Sequence, residues 1–375
     1  MNKKKIAILG IKFFPSQGGT SRVSEDLVTQ LHERYEFTMY CYKHPKAENY
    51  IPGVKVVAFP KLPGGVIGVF LFYLRCTLHM LRTGDFDLVH VHKTDAAFFI
   101  PMLAHKFKVV ATSHEAPYKR DKWSGFTKRY FRWMENIFMK SDAHLTSISA
   151  PLSQYYLEKF GRNVQYIPNG VDIHMNPDFD AADQLLAEHQ IDGPFVFFAA
   201  RRVMATKGPH HMLKALKRID YKGHIVIAGD TTELPAFTRE LEELSKGLKV
   251  HFIGMIRNKD LLMAMVQRAE RFIFPSETEG MSIMLLEVTN LGTPIIASDI
   301  PENTAVFDEQ DMLFFRNKDV EDLAEKFLWA EANPEVMHQR ALHAQQRVAT
   351  EYNRELIAEQ YAEMYDALMG IEKVS

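Results

Sequence analysis

Residues Phe274-Pro275-Ser276-Glu277-Thr278-Glu279-Gly280-Met281-Ser282-Ile283-Met284-Leu285-Leu286-Glu287 decide how this chain is read. The apolar run Arg271–Phe274 stops at Pro275, a polar turn with Gly280 follows, and Ile283–Asn290 continues as a helix. A strand that enters a helix through such a turn is one step of a βα repeat. Glu279 falls at the turn. The N–H groups of Gly280, Met281 and Ser282 are expected to form the positive end of the helix, suited to phosphate oxygens. Glu287 lies about two helical turns further on, on roughly the same side. A carboxylate there accepts paired hydrogen bonds from the vicinal hydroxyls of a sugar or ribose. The plainer alternative is two helix-face glutamates paired with nearby cations. Apolar Ile283–Leu286 marks the helix as buried, where an unpaired Glu287 is costly.

Outward from this stretch the same alternation fills the chain. Strands are expected at Lys5–Leu9, Phe37–Cys41, Val54–Phe59, Asp87–Val91, Lys108–Ser113 and His144–Ile148. A second set follows at Phe195–Ala200, His224–Ala228, Val250–Ile253, Arg271–Phe274 and Pro294–Ala297. Most are continuous apolar runs, as in a parallel sheet covered on both faces. Helical patterns such as Thr20–Glu33, Thr127–Lys140, His211–Arg218 and Ala236–Ser245 lie between them. The turn cluster Ile167-Pro168-Asn169-Gly170-Val171-Asp172 interrupts the alternation. We therefore expect an α/β chain of two Rossmann-like doubly wound domains facing a central cleft, residues 1–175 and 176–352. Residues 353–375 form a final helix, whose Ile357, Tyr361, Met364, Tyr365 and Leu368 share one face. Open α/β sheets bind ligands at strand C-terminal ends.

The length of 375 residues fits two domains. With 45 basic and 47 acidic residues, the net charge of -2 gives no global field for nucleic acid. Two cysteines, Cys41 and Cys76, exclude a disulfide framework and point to a reducing cytoplasm. The apolar N-terminal run Ile6–Gly10 is too short for a signal peptide core. Arg75 and His79 break the apolar stretch Val66–Leu81, which reads as a core helix rather than a membrane span.

Two more loops carry polar chemistry. Pro15-Ser16-Gln17-Gly18-Gly19-Thr20 follows the first strand, and its paired glycines let backbone approach a ligand. It is neither GxGxxG nor a P-loop, which disfavours a dinucleotide oxidoreductase. Ala200-Arg201-Arg202-Val203-Met204-Ala205-Thr206-Lys207-Gly208 follows the first strand of the second set. An Arg fork and a Lys point charge there can clamp a diphosphate.

Glu279 and Glu287 in this setting resemble the E-x7-E motif of retaining glycosyltransferases of the GT-B fold, family 4, known as group 1. Supporting matches, in order, are Gly18-Gly19, Asp87–Lys93, His114, Ile167–Asp172, Arg202 with Lys207-Gly208, Ile227–Asp230, Val250–Gly254 and Leu291–Ser298. The resemblance implies a nucleotide-diphosphate sugar donor held mainly by the second domain. Arg202 and Lys207 would hold the diphosphate, Glu279 the transferred sugar and Glu287 the ribose. Backbone near Gly254 and Met255 would meet the base, Gly18 and Gly19 the phosphates, and His114 would sit beside the reacting carbon. Ser282 departs from a usual Gly. Arg201 stands where Gly often precedes the Arg, so the choice between Arg201 and Arg202 stays open.

By analogy with the family, we expect retention by front-face substitution, with no cofactor and no metal. Asp85-Phe86-Asp87 precedes its strand and Asp178-Phe179-Asp180 lies in the linker, so neither suits a metal-binding DxD. His90 with His92, and His210 with His211, are expected to be satisfied structural histidines. The basic and aromatic stretch 119–140, together with 66–81, suits an anionic membrane surface and a lipid-linked or glycan acceptor in cell-surface synthesis. With the cysteine usage, the expected location is the cytoplasm, with peripheral contact on the inner face of the membrane. The rival functions are a GT-B sugar-nucleotide epimerase and a non-catalytic nucleotide-binding protein.

Overall fold

The computed structural model describes residues 3–16, 18–47, 50–116 and 125–371. Gln17, Lys119, Arg120, Lys122 and Trp123 lie outside the described residues, as does the Phe126 side chain. The chain divides into two compact units, Met1–Gly170 with Arg354–Ser375, and Val171–Asn353. The first break falls five residues before the one expected after 175. Val171 already belongs to the second unit, because it forms a bridge to Asn353 and its N–H bonds Tyr352 O at 2.8 Å.

The strands are β1 (Lys5–Leu9), β2 (Glu36–Tyr42), β3 (Lys55–Phe59), β4 (Leu88–His92), β5 (Lys108–Ser113), β6 (His144–Ser147) and β7 (Gln165–Tyr166) in the first unit. The second unit holds β8 (Phe195–Arg202), β9 (His224–Asp230), β10 (Lys249–Gly254), β11 (Arg271–Phe274), β12 (Ile295–Ser298) and β13 (Leu313–Phe315). The first sheet is ordered β3-β2-β1-β4-β5-β6-β7 and the second β10-β9-β8-β11-β12-β13. Every pairing is parallel. Each sheet is thus a doubly wound sheet whose strand order reverses beside its first strand, between β1 and β4 and between β8 and β11. The sequence reading missed β7 and β13, edge strands too short to leave a periodic signal.

Side chains alternate across the first sheet. Ile6 and Ile8 enter one core with Phe37, Met39 and Cys41, while Ala7 and Leu9 enter the other with Tyr40, Val89 and Val91. The first core is closed by Leu27, Val28 and Leu31 of the Thr20–Leu31 helix and by Ile357, Tyr361 and Tyr365 of the Arg354–Met369 helix. Arg34 pairs with Glu359 and Asp366, and Tyr35 OH donates to Asp366 Oδ1 at 2.6 Å. The Val66–Thr83 helix closes the second core with Phe72, Tyr73, Cys76 and Met80. By length and hydropathy alone it could cross a membrane. One face, with Phe72, Tyr73, Cys76 and Met80, is buried against the sheet, and Ile67 and Leu71 of the same helix are exposed. Both cysteines are free and buried, and burial pushes Cys41 up to about 12.

Two glycines fix the backbone where each sheet reverses. Gly10 (φ 98°) follows β1, and a Cβ on it would lie 1.7 Å from His92 O at the end of β4. Gly208 (φ 73°) follows β8, and a Cβ there would lie 1.9 Å from Pro275 O at the end of β11. Both positions combine left-handed backbone with a backbone-to-backbone approach that admits no side chain. Gly208→Ala is expected to lower stability by more than about 3 kcal/mol, through clash added to strain. Gly247→Ala, at φ 88° with open space around it, should cost only about 1 kcal/mol. Urea unfolding of both variants checks this. Equal losses would remove the close approach from the account.

Candidate active site

In the second unit, Arg201, Arg202, Lys207 and Glu279 lie at or just after the C-terminal ends of β8 and β11. Strand β8 runs two residues further than the apolar run suggests. Between Ala199, which pairs with Ala228, and Arg202, which pairs with Asp230, it carries one extra residue. Such a bulge re-aims side chains at a strand end. Arg201 and Arg202 are therefore on the strand rather than in the loop, and both are exposed. Arg202 Nη1 donates to Glu233 Oε2 at 3.1 Å. Arg201 makes no hydrogen bond or ion pair to the described residues. Burial first, and then the charge of Arg202, lower its pKa below the ordinary guanidinium value. A bound anion would relieve both arginines.

Lys207 ends the short 3-10 turn Ala205–Lys207. Its Nζ donates to Glu279 Oε1 at 2.5 Å, with the carboxylate mostly buried and the ammonium about a third exposed. The loops bearing these two residues are stitched together. Glu277 N–H bonds Thr206 O at 2.9 Å, and Gly208 packs on Pro275. The pair therefore rests on rigid backbone, which keeps a charged site in register with a ligand.

The Ile283–Asn290 helix begins later than the motif suggested. Ser282 is its N-cap and accepts from Leu285 N at 3.2 Å. Gly280 and Met281 precede the helix, so the N–H groups without an intrahelical partner or cap belong to Ser282, Ile283 and Met284. The cap also accounts for Ser at 282, since a Ser side chain satisfies one of the orphan donors. Glu287 is buried, 2% exposed, and Lys259 Nζ lies 3.0 Å from its Oε1. Gly254 ends β10 and Met255 follows it, partly exposed.

Sequence reading gave Glu277 no role. It accepts from His211 Nε2 at 3.0 Å and lies 3.7 Å from His210 Nε2, while Lys318 Nζ lies 2.9 Å from its other oxygen. Burial raises its pKa, but Lys318 and His211 outweigh that and hold it below the usual carboxylate value. These three side chains form a metal-ligand geometry, His210, His211 and Glu277. Lys318 is the fourth group of the cluster, paired with the Glu277 oxygen that the histidines leave free. The histidines were expected to be satisfied. Nδ1 of both is instead buried with no partner among the described residues, and His210 is pushed down to about 4, chiefly by burial.

In the first unit, Gly18 and Gly19 stand before the Thr20–Leu31 helix, with Gly19 as its N-cap residue and open space where a Cβ would be. His114 follows β5 and is 7% exposed. Its Nε2 lies 3.0 Å from His92 Nδ1. His92 in turn stacks on His90 with ring centroids 3.9 Å apart. His90 bonds Tyr365 OH and Thr112 Oγ1, each at 2.6 Å. Burial holds His90 and His114 well below the ordinary imidazole value and pushes His92 down to about 3. All three are neutral at physiological pH. His90 is satisfied as expected, whereas His92 Nε2 has no partner among the described residues. The spacing His90-x-His92 was the available signal, because alternate residues of one strand share a face.

Comparison with known proteins identifies the family and the fold. Residues 182–347 match the family model "Glycosyl transferases group 1", and residues 17–174 match "Glycosyltransferase Family 4". A glycogen synthase of Mycobacterium tuberculosis is 25% identical over 348 residues, covering 86% of this chain and 82% of that protein. A phosphatidyl-myo-inositol mannosyltransferase of the same species is 25% identical over 303 residues, covering 77% and 76%. The solved sucrose-phosphate synthase of Thermosynechococcus elongatus superposes with a TM-score of 0.82 at 21% identity, over 99% of this chain and all of that one. With two doubly wound sheets, the second bearing cations and carboxylates at its strand ends, and both halves matched, the chain is a glycosyltransferase with the GT-B fold and belongs to the group 1, family 4 glycosyltransferases.

Proposed function

We propose that this enzyme moves a hexosyl group, with retention of configuration, from a UDP- or GDP-linked sugar to a lipid-linked or glycan acceptor in cell-surface polysaccharide or glycolipid synthesis. The observation that carries the reading is the Lys207–Glu279 pair, on the loops after β8 and β11 where the second sheet reverses, with Arg201 and Arg202 ending β8. A cation for phosphate and a carboxylate for sugar hydroxyls meet there on two stitched loops.

The chemistry follows from charge. The bond from the anomeric carbon to the donor phosphate breaks, and its electrons leave with the nucleoside diphosphate. The acceptor oxygen bonds the same carbon on the same face, and its proton passes to the leaving phosphate oxygen. Negative charge grows on that phosphate, and Lys207, Arg202 and Arg201 are the cationic donors that stabilise it. The Ile283 and Met284 N–H groups add the helix terminus. When the donor binds, Lys207 turns from Glu279 toward phosphate and frees that carboxylate for the sugar. Glu287, held by Lys259, takes the ribose, and backbone at Gly254 and Met255 meets the base. Gly18, Gly19 and His114 keep the roles that the resemblance implies; a neutral imidazole does not repel the positive charge developing on the sugar. No step calls on a metal or other cofactor.

The acceptor side is read from the surface of the first unit. Phe98 and Trp133 are exposed, with ring centroids 6.0 Å apart, and Phe70 lies 5.4 Å from Phe98. Ile67 and Leu71 of the Val66–Thr83 helix are exposed, as are Arg75, Arg129 and Arg132. Aromatic rings flanked by cations suit the interface of an anionic bilayer.

Lys207→Ala is expected to cut kcat by about 10² or more, the order seen when one transition-state donor is removed. Steady-state kinetics reads this, and near wild-type turnover would remove the phosphate clamp. In a thermal-shift panel of UDP, GDP, ADP and TDP, the matching nucleotide at about 100 times its Kd should stabilise by about 2.7 kcal/mol. No shift with UDP or GDP would overturn the donor class. Flotation with vesicles containing anionic lipid should carry the wild type and leave Trp133→Ala largely behind. A wild type that stays in the soluble fraction removes the membrane from the account.

A further inference from the structure

We propose that His92 is a positioning residue that fixes His114 as its Nδ1–H tautomer, through a hydrogen bond from His92 Nδ1–H to His114 Nε2. The role for His114 rests on the proposed function; the tautomer does not.

The argument is an accounting of hydrogens. A neutral imidazole carries one N–H and one acceptor nitrogen. Tyr365 is fully buried, and His90 Nδ1 is its one hydroxyl partner among the described residues. Its hydrogen therefore goes to His90 Nδ1. His90 then carries its own hydrogen on Nε2 and donates to Thr112 Oγ1, which bonds Thr146 Oγ1 at 2.6 Å. His90 is thus pinned at both nitrogens, and its ring is the surface on which His92 stacks.

His92 and His114 share one hydrogen between Nδ1 and Nε2 at 3.0 Å. If His114 donated it, His92 would keep its own hydrogen on Nε2, which is buried with no partner among the described residues. That would strand a buried N–H, and stranded donors are rarer and costlier than under-used acceptors. If His92 donates, only a lone pair is left on Nε2. The second arrangement is favoured, and it puts the His114 hydrogen on Nδ1. Burial of both rings keeps this a bond between neutral imidazoles. The consequence is that His114 offers one defined donor, Nδ1–H, with its other nitrogen already occupied. Tyr365 stands at the far end of the row, so the final helix helps to hold this donor in place.

The test is nitrogen NMR of the protein labelled with 15N-histidine, read with kcat and donor KM. Wild-type His114 should show a protonated Nδ1 and a bare Nε2. In His92→Phe, which keeps an aromatic ring against His90 but has no N–H, His114 should lose that single tautomer. Turnover should fall about tenfold, the worth of one hydrogen bond, with donor KM within twofold. His92→Asn places an amide N–H near the Nδ1 position and should restore the tautomer and most of the rate. A wild-type His114 protonated on Nε2 overturns the proposal, and so does an unchanged tautomer in His92→Phe. A changed tautomer with unchanged turnover upholds the hydrogen bond and instead removes His114 from the proposed reaction. The wild-type and Asn spectra decide the matter even if the Phe variant fails to fold.

Discussion

Each sheet depends on a place where backbone touches backbone with no side chain between. Strand order reverses beside β1 and beside β8, and there the loop leaving the first strand must pass against the exit of the fourth. Gly10 lies on the carbonyl of His92 and Gly208 on that of Pro275. Only hydrogen fits those gaps. Because the approach is so close, the neighbouring residues inherit fixed positions: Lys207 precedes Gly208, and Glu277 bonds Thr206 across the same seam. The charged pair Lys207–Glu279 is held by this backbone rather than by its own attraction, since an ion pair this close to solvent contributes little by itself.

The two units then do different electrical work from the same topology. In the second, cations crowd the strand ends and are held apart by Glu233, Glu277, Glu279 and Glu287, each of which pairs with at least one. The arrangement is poised for an anion, which can take over partners that the carboxylates now supply. In the first unit, the equivalent place is filled by stacked neutral histidines. Burial removes their charge; hydrogen bonds to Tyr365 and Thr112 hold His90, His92 stacks on it, and His92 bonds His114.

Much of this was legible in the residues. Continuous apolar runs gave most of the strands to within two residues, because strands covered on both faces carry no polar alternation to blur their ends. The turn at 274–287 marked Glu279 and Glu287, and the Arg354–Met369 helix showed its buried face in Ile357, Tyr361 and Tyr365. The edge strands β7 and β13 were invisible, being too short to have a period. Nor did the apolar signal follow β8 to Arg202, since a strand that ends in two arginines looks like a loop.

The sequence by itself determined the alternation of strand and helix, the repetition of that pattern in two halves, and the residue types available for chemistry. Those follow from local periodicity and from side-chain functional groups, which any stretch of chain carries with it. Only the tertiary structure decided the pairings: Lys259 with Glu287, Lys318 and His211 with Glu277, and His92 with His114. Their partners are distant in sequence, and a hydrogen bond depends on distance and direction between atoms that only the packed sheets bring together. The helix start at Ile283 and the bulge in β8 were settled in the same way, by backbone hydrogen bonds that leave no trace in composition.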